Sequence, residues 1–163
     1  MKIKILAITA LLVLSFSTCF SSPLNDLGTG QTALGLGTDN FYIEHKIANT
    51  FTIGVQNQKF DNLPHMNDIY GQLNLTENLR AIVGSRNMDS NSTLYAGLGV
   101  TTSLSPEMSG YASYVGGDQF KELQLGANYH LSSTADLNIG YYSYMNDLRP
   151  DKNGVNAGVT FKF

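Results

Sequence analysis

Few side chains in this sequence have the types and spacing to do chemistry. His130-Leu131-Ser132 sets an imidazole two residues from a hydroxyl, the pairing by which a general base activates a nucleophile. That chemistry also needs a carboxylate to orient the imidazole. No Glu follows in the next apolar-polar stretch, and Ser133 comes directly after the serine, so the motif reads as incomplete. His65 lies near Asp61 and Asp68, but the spacing matches no defined metal site and reads as a solvated loop. Asp147, Arg149, Asp151 and Lys152, with Pro150 and Gly154 shaping the turn, read as a charged loop. No catalytic, cofactor-binding or metal site is therefore expected. The remaining charges of interest, Glu44, Lys46, Arg80, Arg86 and Glu122, take their meaning from the elements that carry them.

Those elements are strands. From Gly30 onward no 3.6-residue apolar periodicity stands out, while period-two alternation recurs. Phe51, Ile53 and Val55 alternate with Thr52, Gly54 and Gln56; Leu94, Ala96, Leu98 and Val100 alternate with Tyr95, Gly97, Gly99 and Thr101. Leu123, Leu125, Ala127 and Tyr129 alternate with polar or small residues, as do Leu137, Ile139 and Tyr141. Between strands a short turn repeats: Ile47-Ala48-Asn49-Thr50-Phe51, Leu75-Thr76-Glu77-Asn78-Leu79, Leu104-Ser105-Pro106-Glu107-Met108 and Leu131-Ser132-Ser133-Thr134-Ala135. Their first residues are 28, 29 and 27 positions apart, the mark of one supersecondary unit repeated. The unit is a hairpin of about 14 residues per strand with its connection, long enough for a tilted membrane strand. Four such turns plus the two chain ends imply five hairpins and ten strands, with eight as the alternative count; an even number suits a single-chain barrel. The other hairpin ends fall around Gly37 to Asn40, Asp61 to Asn67, Asn87 to Asn91, Gly116 to Gln119 and Asn146 to Asn153. The first hairpin and the strand near Ser109 to Gly116 are the least regular.

Composition decides which face of the strands looks outward. Charged residues make up 14% of the chain, against the quarter typical of soluble proteins. The polar strand face is Thr, Gln, Asn, Gly and Tyr, whereas a solvated face would carry far more Lys, Arg, Glu and Asp. That face suits a narrow lumen, and strand parity sets Glu44, Lys46, Arg80, Arg86 and Glu122 on it. With both signs present, pairing across the interior would offset their desolvation. A barrel of this size is expected to be filled by its own side chains, the alternative being a selective polar path. His45 falls on the apolar parity and reads as interfacial. Tyr42, Tyr111, Tyr114, Tyr129, Tyr141 and Tyr144, with Phe41, Phe51 and Phe60, sit toward strand ends, as aromatic girdles do. Tyr70, Tyr95 and Tyr142 fall on the lumen parity.

The first residues read as an export signal. Lys2 and Lys4 precede an apolar run from Ile5 to Phe16 and a small polar stretch, Ser17 to Ser22, the order of a secretory leader. The run falls short of the roughly 20 residues a spanning helix needs. Cleavage after Ser21 would leave residues 22–163 as one domain of about 140 residues. Cys19 is the single cysteine; Phe16-Ser17-Thr18-Cys19 loosely resembles a lipobox, and the alternative is a residue discarded with the leader. A net charge of −3 without a basic run gives nucleic acid no electrostatic foothold.

The last residues carry the most specific resemblance. Val155-Asn156-Ala157-Gly158-Val159-Thr160-Phe161-Lys162-Phe163 ends on Phe with apolar residues at every second position. With Val159, Phe161 and Phe163 as its signature, it resembles the C-terminal assembly signal of bacterial outer-membrane β-barrels. Together with the leader and the hairpin repeat, the likeness to small barrels of the OmpA/OmpX type covers nearly the whole chain. It implies an all-β, antiparallel up-and-down transmembrane barrel in the outer membrane, with outer-membrane lipid and the barrel-assembly machinery as partners. It further implies short turns and both termini in the periplasm and a structural or interaction role; it names no ligand. A narrow channel for small solutes or ions is the runner-up. His130-Leu131-Ser132 resembles the His-x-Ser of outer-membrane lipid A deacylases, which makes a lipid-modifying enzyme a third reading, although the topology puts His130 at the periplasmic end. A soluble secreted barrel for a small apolar ligand is a fourth.

Overall fold

The computed structural model describes residues 23–163, apart from Asp39, residues 60–64, Asp89, Ser90, Leu148 and the side chain of Arg149. Ten strands run in chain order: β1 (Thr32–Gly37), β2 (Asn40–Ala48), β3 (Phe51–Gln58), β4 (Met66–Asn74), β5 (Leu79–Met88), β6 (Asn91–Ser105), β7 (Met108–Gly117), β8 (Phe120–Ser132), β9 (Ala135–Asn146) and β10 (Arg149–Lys162). Each pairs antiparallel with its chain neighbours, and β1 pairs with β10, so the sheet closes on itself. The short β1 is held on both sides, Leu34 opposite Phe161 and opposite Ile43. Closure gives every strand a neighbour on both sides, so the sheet has no edge strand.

The repeated short turns owe their geometry to one small residue. Thr76 Oγ1 accepts a hydrogen bond from Leu79 N at 3.0 Å, Ser105 Oγ from Glu107 N at 3.3 Å and Ser132 Oγ from Thr134 N at 3.2 Å. These hydroxyls occupy equivalent positions in three of the four repeats and mimic a backbone turn. The opposite connections differ from expectation in one place. The charged stretch after Asn146 is mostly strand, because β10 already begins at Arg149 and pairs back with β9 across a register irregularity between Arg149 and Lys152.

Leu94 is 78% exposed and Ile69 69%, and Leu98, Val55, Leu137, Ile139 and Val155 are exposed with them. They ring the barrel as one apolar exterior, far beyond the patch a water-soluble monomer shows. The strand near Ser109 to Gly116 resolves as β7, with Tyr111, Ser113 and Val115 buried and Tyr114 outward. Tyr114, Tyr129 and Tyr141 face out. Tyr42, Tyr111 and Tyr144 do not: they are buried in the lumen, which corrects their placement in an aromatic girdle. The reason lies across the strand. Tyr42 stands opposite Gly35 and Tyr111 opposite Gly126, and a Cβ at Gly35 or Gly126 would lie 1.9 or 2.5 Å from the ring. The missing side chain lets each ring lie flat on the neighbouring strand, an arrangement that also pins register.

Candidate functional site: a filled lumen

Three layers of polar side chains fill the bore. The layer nearest the longer loops centres on Arg86 of β5, which is 3% exposed. Its Nε donates to Asp68 Oδ1 at 2.9 Å and its Nη2 to Asp68 Oδ2 at 2.7 Å, while Nη1 donates to Glu122 Oε2 at 2.7 Å. Gln56 Nε2 donates to Asp68 at 2.9 Å, and Gln124 Nε2 donates to Glu122. The guanidinium carbon lies 4.5 Å from the Phe120 ring centre and 5.5 and 5.7 Å from those of Tyr95 and Tyr144. Phe120 and Tyr144 stack at 5.7 Å. A charge-paired, aromatic-walled disc therefore crosses the barrel, with a cavity of about 30 Å³ on one side and one of about 70 Å³ on the other.

The middle layer is occupied by the chain itself. Residues 23–27 turn back into the lumen ahead of β1, and Pro23, Leu24, Asn25 and Leu27 are buried there. Asn25 Nδ2 donates to Glu44 Oε2 at 2.7 Å and to Tyr42 Oη at 3.2 Å. Arg80 Nη1 donates to Asn25 O at 2.6 Å, and Asn128 Nδ2 to Leu24 O at 3.3 Å. Leu24 packs with Tyr70, Ile82 and Tyr95, and Leu27 with Ala33 and Tyr42. Gln72 couples the two charges of this layer, donating to Glu44 at 2.7 Å and accepting from Arg80 at 3.1 Å.

The third layer lies at the short-turn end. Asp136 of β9 sits 2.8 Å from His130 Nδ1 and 2.7 Å from Lys162 Nζ. His130 thus has an orienting carboxylate after all, an Asp from the next strand, and the expectation that it lacks one is corrected. A nucleophile is not assembled with it: the Ser132 hydroxyl shapes its own turn and contacts Thr134 Oγ1 at 3.3 Å.

Glu44, Lys46, Arg80, Arg86 and Glu122 are all buried on the lumen side. Only Arg86 and Glu122 among them meet as an ion pair; Glu44 and Arg80 meet through Gln72 and Asn25. The sequence reading underrated one residue. Asp68, assigned to a loop beside His65, belongs to β4 and is the main partner of Arg86, whereas His65 is exposed and Asp61 lies outside the described residues. Its one signal was its place two before Tyr70 on the same face. The inserted segment was missed entirely. His45 faces outward, with Nδ1 3.0 Å from Thr32 Oγ1. Phe161 and Phe163 face outward and exposed, while Val159 is half-buried on the same side. Among the described residues no group of three or more His, Cys, Asp or Glu could hold a metal ion.

The fold and its contents define a class: a closed, antiparallel, ten-stranded barrel with an apolar exterior and a polar, occupied bore. No protein-family profile matches the chain, and no curated protein matches it in sequence. Among solved structures it is similar to a de novo designed transmembrane β-barrel (18% identity, 85% of this chain and 100% of the other, TM-score 0.44). It is similar also to the KdgM porin in complex with disordered oligogalacturonate (10% identity, 82% and 98%, TM-score 0.47). A third likeness is to the N-terminal β-barrel domain of Pseudomonas aeruginosa OprF (11% identity, 84% and 100%, TM-score 0.41).

Proposed function

We propose that this chain is a porin-like barrel of the bacterial outer membrane whose bore is shut, serving a structural or interaction role in the envelope rather than catalysis or steady transport. One observation carries the reading: the bore is crossed at two levels, by the Arg86 disc and by the inserted segment. The cavity between them is about 30 Å³, room for roughly two or three waters.

The membrane setting is supported by the apolar ring, whose burial in water-free lipid requires the closed backbone pairing seen here. Residues 1–21 are then an export leader and residues 22–163 the barrel. Pro23, the first described residue, is fully buried in the lumen. Outer-membrane lipid is the solvent of the exterior, and Val159, Phe161 and Phe163 are offered to the barrel-assembly machinery. Nucleic acid has no role in this reading.

Purified protein in planar bilayers tests it. The expected trace is silence or rare flickers; a steady open-state current from the wild-type chain would replace the plugged reading with the channel one. Fractionation tests the setting: the folded chain should travel with outer membrane and migrate differently on a gel before and after boiling, whereas a monomer folded in plain buffer would refute it.

A further inference from the structure

The lumen residues that hold the inserted segment do so in the manner of a peptide-binding site. We infer that the short-turn half of the barrel is a blind cup for an extended peptide of the pattern Leu-Asn-x-Leu, floored by the Arg86 disc and filled by the chain's own residues 23–27. This rests on the shut-bore reading for its floor and adds a ligand class to it.

Five contacts define the recognition. Two main-chain carbonyls, those of Leu24 and Asn25, are taken by Asn128 and Arg80, which read a backbone and not a side chain. The Asn25 amide donates to Glu44; an Asp there would set a carboxylate against that buried carboxylate, so the cup selects Asn over Asp. Leu24 fills a hollow that exists because Gly99 has no side chain, since a Cβ there would lie 2.6 Å from Leu24 Cδ1. Leu27, three residues on, rests against Ala33 and Tyr42.

The recognising groups keep their positions through other partners. Glu44 also accepts from Tyr70 Oη at 2.9 Å and from Gln72. Asn128 Oδ1 accepts from Asn138 at 2.9 Å, and Asn138 in turn accepts from Thr160 at 2.7 Å. A site held this way stays formed when its occupant leaves, which lowers the cost of rebinding. The occupant is loosely tethered. Residues 23–27 belong to no strand, and backbone pairing with the wall starts where Gly30 N donates to Lys46 O. Gly30 itself has a φ of 84°, a bend that favours glycine. A cavity of about 300 Å³, lined in part by Leu24, Asp26, His130 and Lys162, opens beside the segment at the short-turn mouth. The tether keeps the segment at a millimolar effective concentration, so the cup is normally self-filled and receptive to a peptide when the segment is out.

The test uses Asn25→Asp in the mature chain, residues 22–163, in detergent and an acetylated peptide of residues 23–29 labelled at its C-terminus, followed by anisotropy. The variant should bind the peptide at least tenfold more tightly than the wild type, whose cup is occupied. Replacing Asn by Asp in the peptide should abolish binding, and so should adding Gly99→Val, which fills the Leu24 hollow. Equal binding by wild type and variant, or none by a variant that still shows heat-modifiable folding, overturns the inference. Should Asn25→Asp not fold, a spin label on Asp26→Cys in the mature chain replaces it: millimolar unlabelled peptide should sharpen the label's spectrum, and no change overturns the inference. In planar bilayers Asn25→Asp should stay silent. A steady current from the variant alone removes the floor and sinks the cup, whereas a current from the wild type sinks the shut bore itself.

Discussion

Replacing Arg86 by Met tests how much of the barrel rests on one guanidinium. Methionine keeps most of the stem's packing against Phe120 and Tyr144 while removing every donor. Two carboxylates, Asp68 at 1% exposure and Glu122 at 2%, then lose the cation that pairs with both of them. Breaking one buried pair costs about 3–5 kcal/mol, because the surviving charge stays out of water. Two pairs would suggest twice that. The structure argues for the single-pair figure: Asp68 keeps Gln56 and a long contact from Tyr95, Glu122 keeps Gln124, and the flanking cavities of about 30 and 70 Å³ touch Arg86 from both sides. Water entering from them solvates what is left. The expected loss is therefore about 3–5 kcal/mol, roughly two to three and a half powers of ten in the unfolding equilibrium.

Reversible urea unfolding in lipid vesicles, followed by tyrosine fluorescence since the chain holds no Trp, measures this loss. A triple variant that adds Asp68→Asn and Glu122→Gln should recover most of it, because neutral amides no longer need the cation. If Arg86→Met lies within about 1 kcal/mol of wild type, or if the triple variant is no better than the single, the disc is not what the stability rests on. Arg86→Met combined with Asn25→Asp should in addition pass a steady, cation-selective current, since both crossings of the bore are then breached and two carboxylates line it.

The remaining predictions concern the exterior, the tyrosine–glycine contacts and assembly. Leu98 stands mid-strand and 52% exposed; Leu98→Arg should cost about 2–4 kcal/mol in vesicles, and an unchanged stability would mean that this face meets water. Gly126→Val should drive the Tyr111 ring off its neighbour and cost about 1–3 kcal/mol by denaturant midpoint, with Tyr111→Ala recovering part of it; a neutral Gly126→Val refutes the contact argument. Phe163 is 69% exposed, so Phe163→Ser should change the stability of refolded protein by less than about 1 kcal/mol while lowering the folded yield in cells several-fold, and an unaltered yield would remove its role in assembly.

Much of the architecture was legible in the residues, because local rules govern it. The spacings of 28 and 29 residues between Ile47, Leu75 and Leu104 set the hairpins, and parity put Glu44, Arg80, Arg86 and Glu122 on one face, since a strand alternates its side chains whatever it pairs with. The dearth of charge opposite the apolar face is what pointed to lipid instead of water outside. Tyr42 shows where this stops: its distance from the strand end suggested a girdle, but parity already placed it inward, and the vacancy over Gly35 gives the ring its seat. Register across strands decided the rest. Asp68 finds Arg86 because β4 and β5 pair them, and Asp136 finds His130 because β8 and β9 do. The inserted Pro23–Leu27 segment follows no periodic pattern, for its hydrogen bonds run to side chains on strands far along the chain. Only once the sheet closes do Glu44, Arg80 and Asn128 converge on one point, and a hollow over Gly99 has no existence before then.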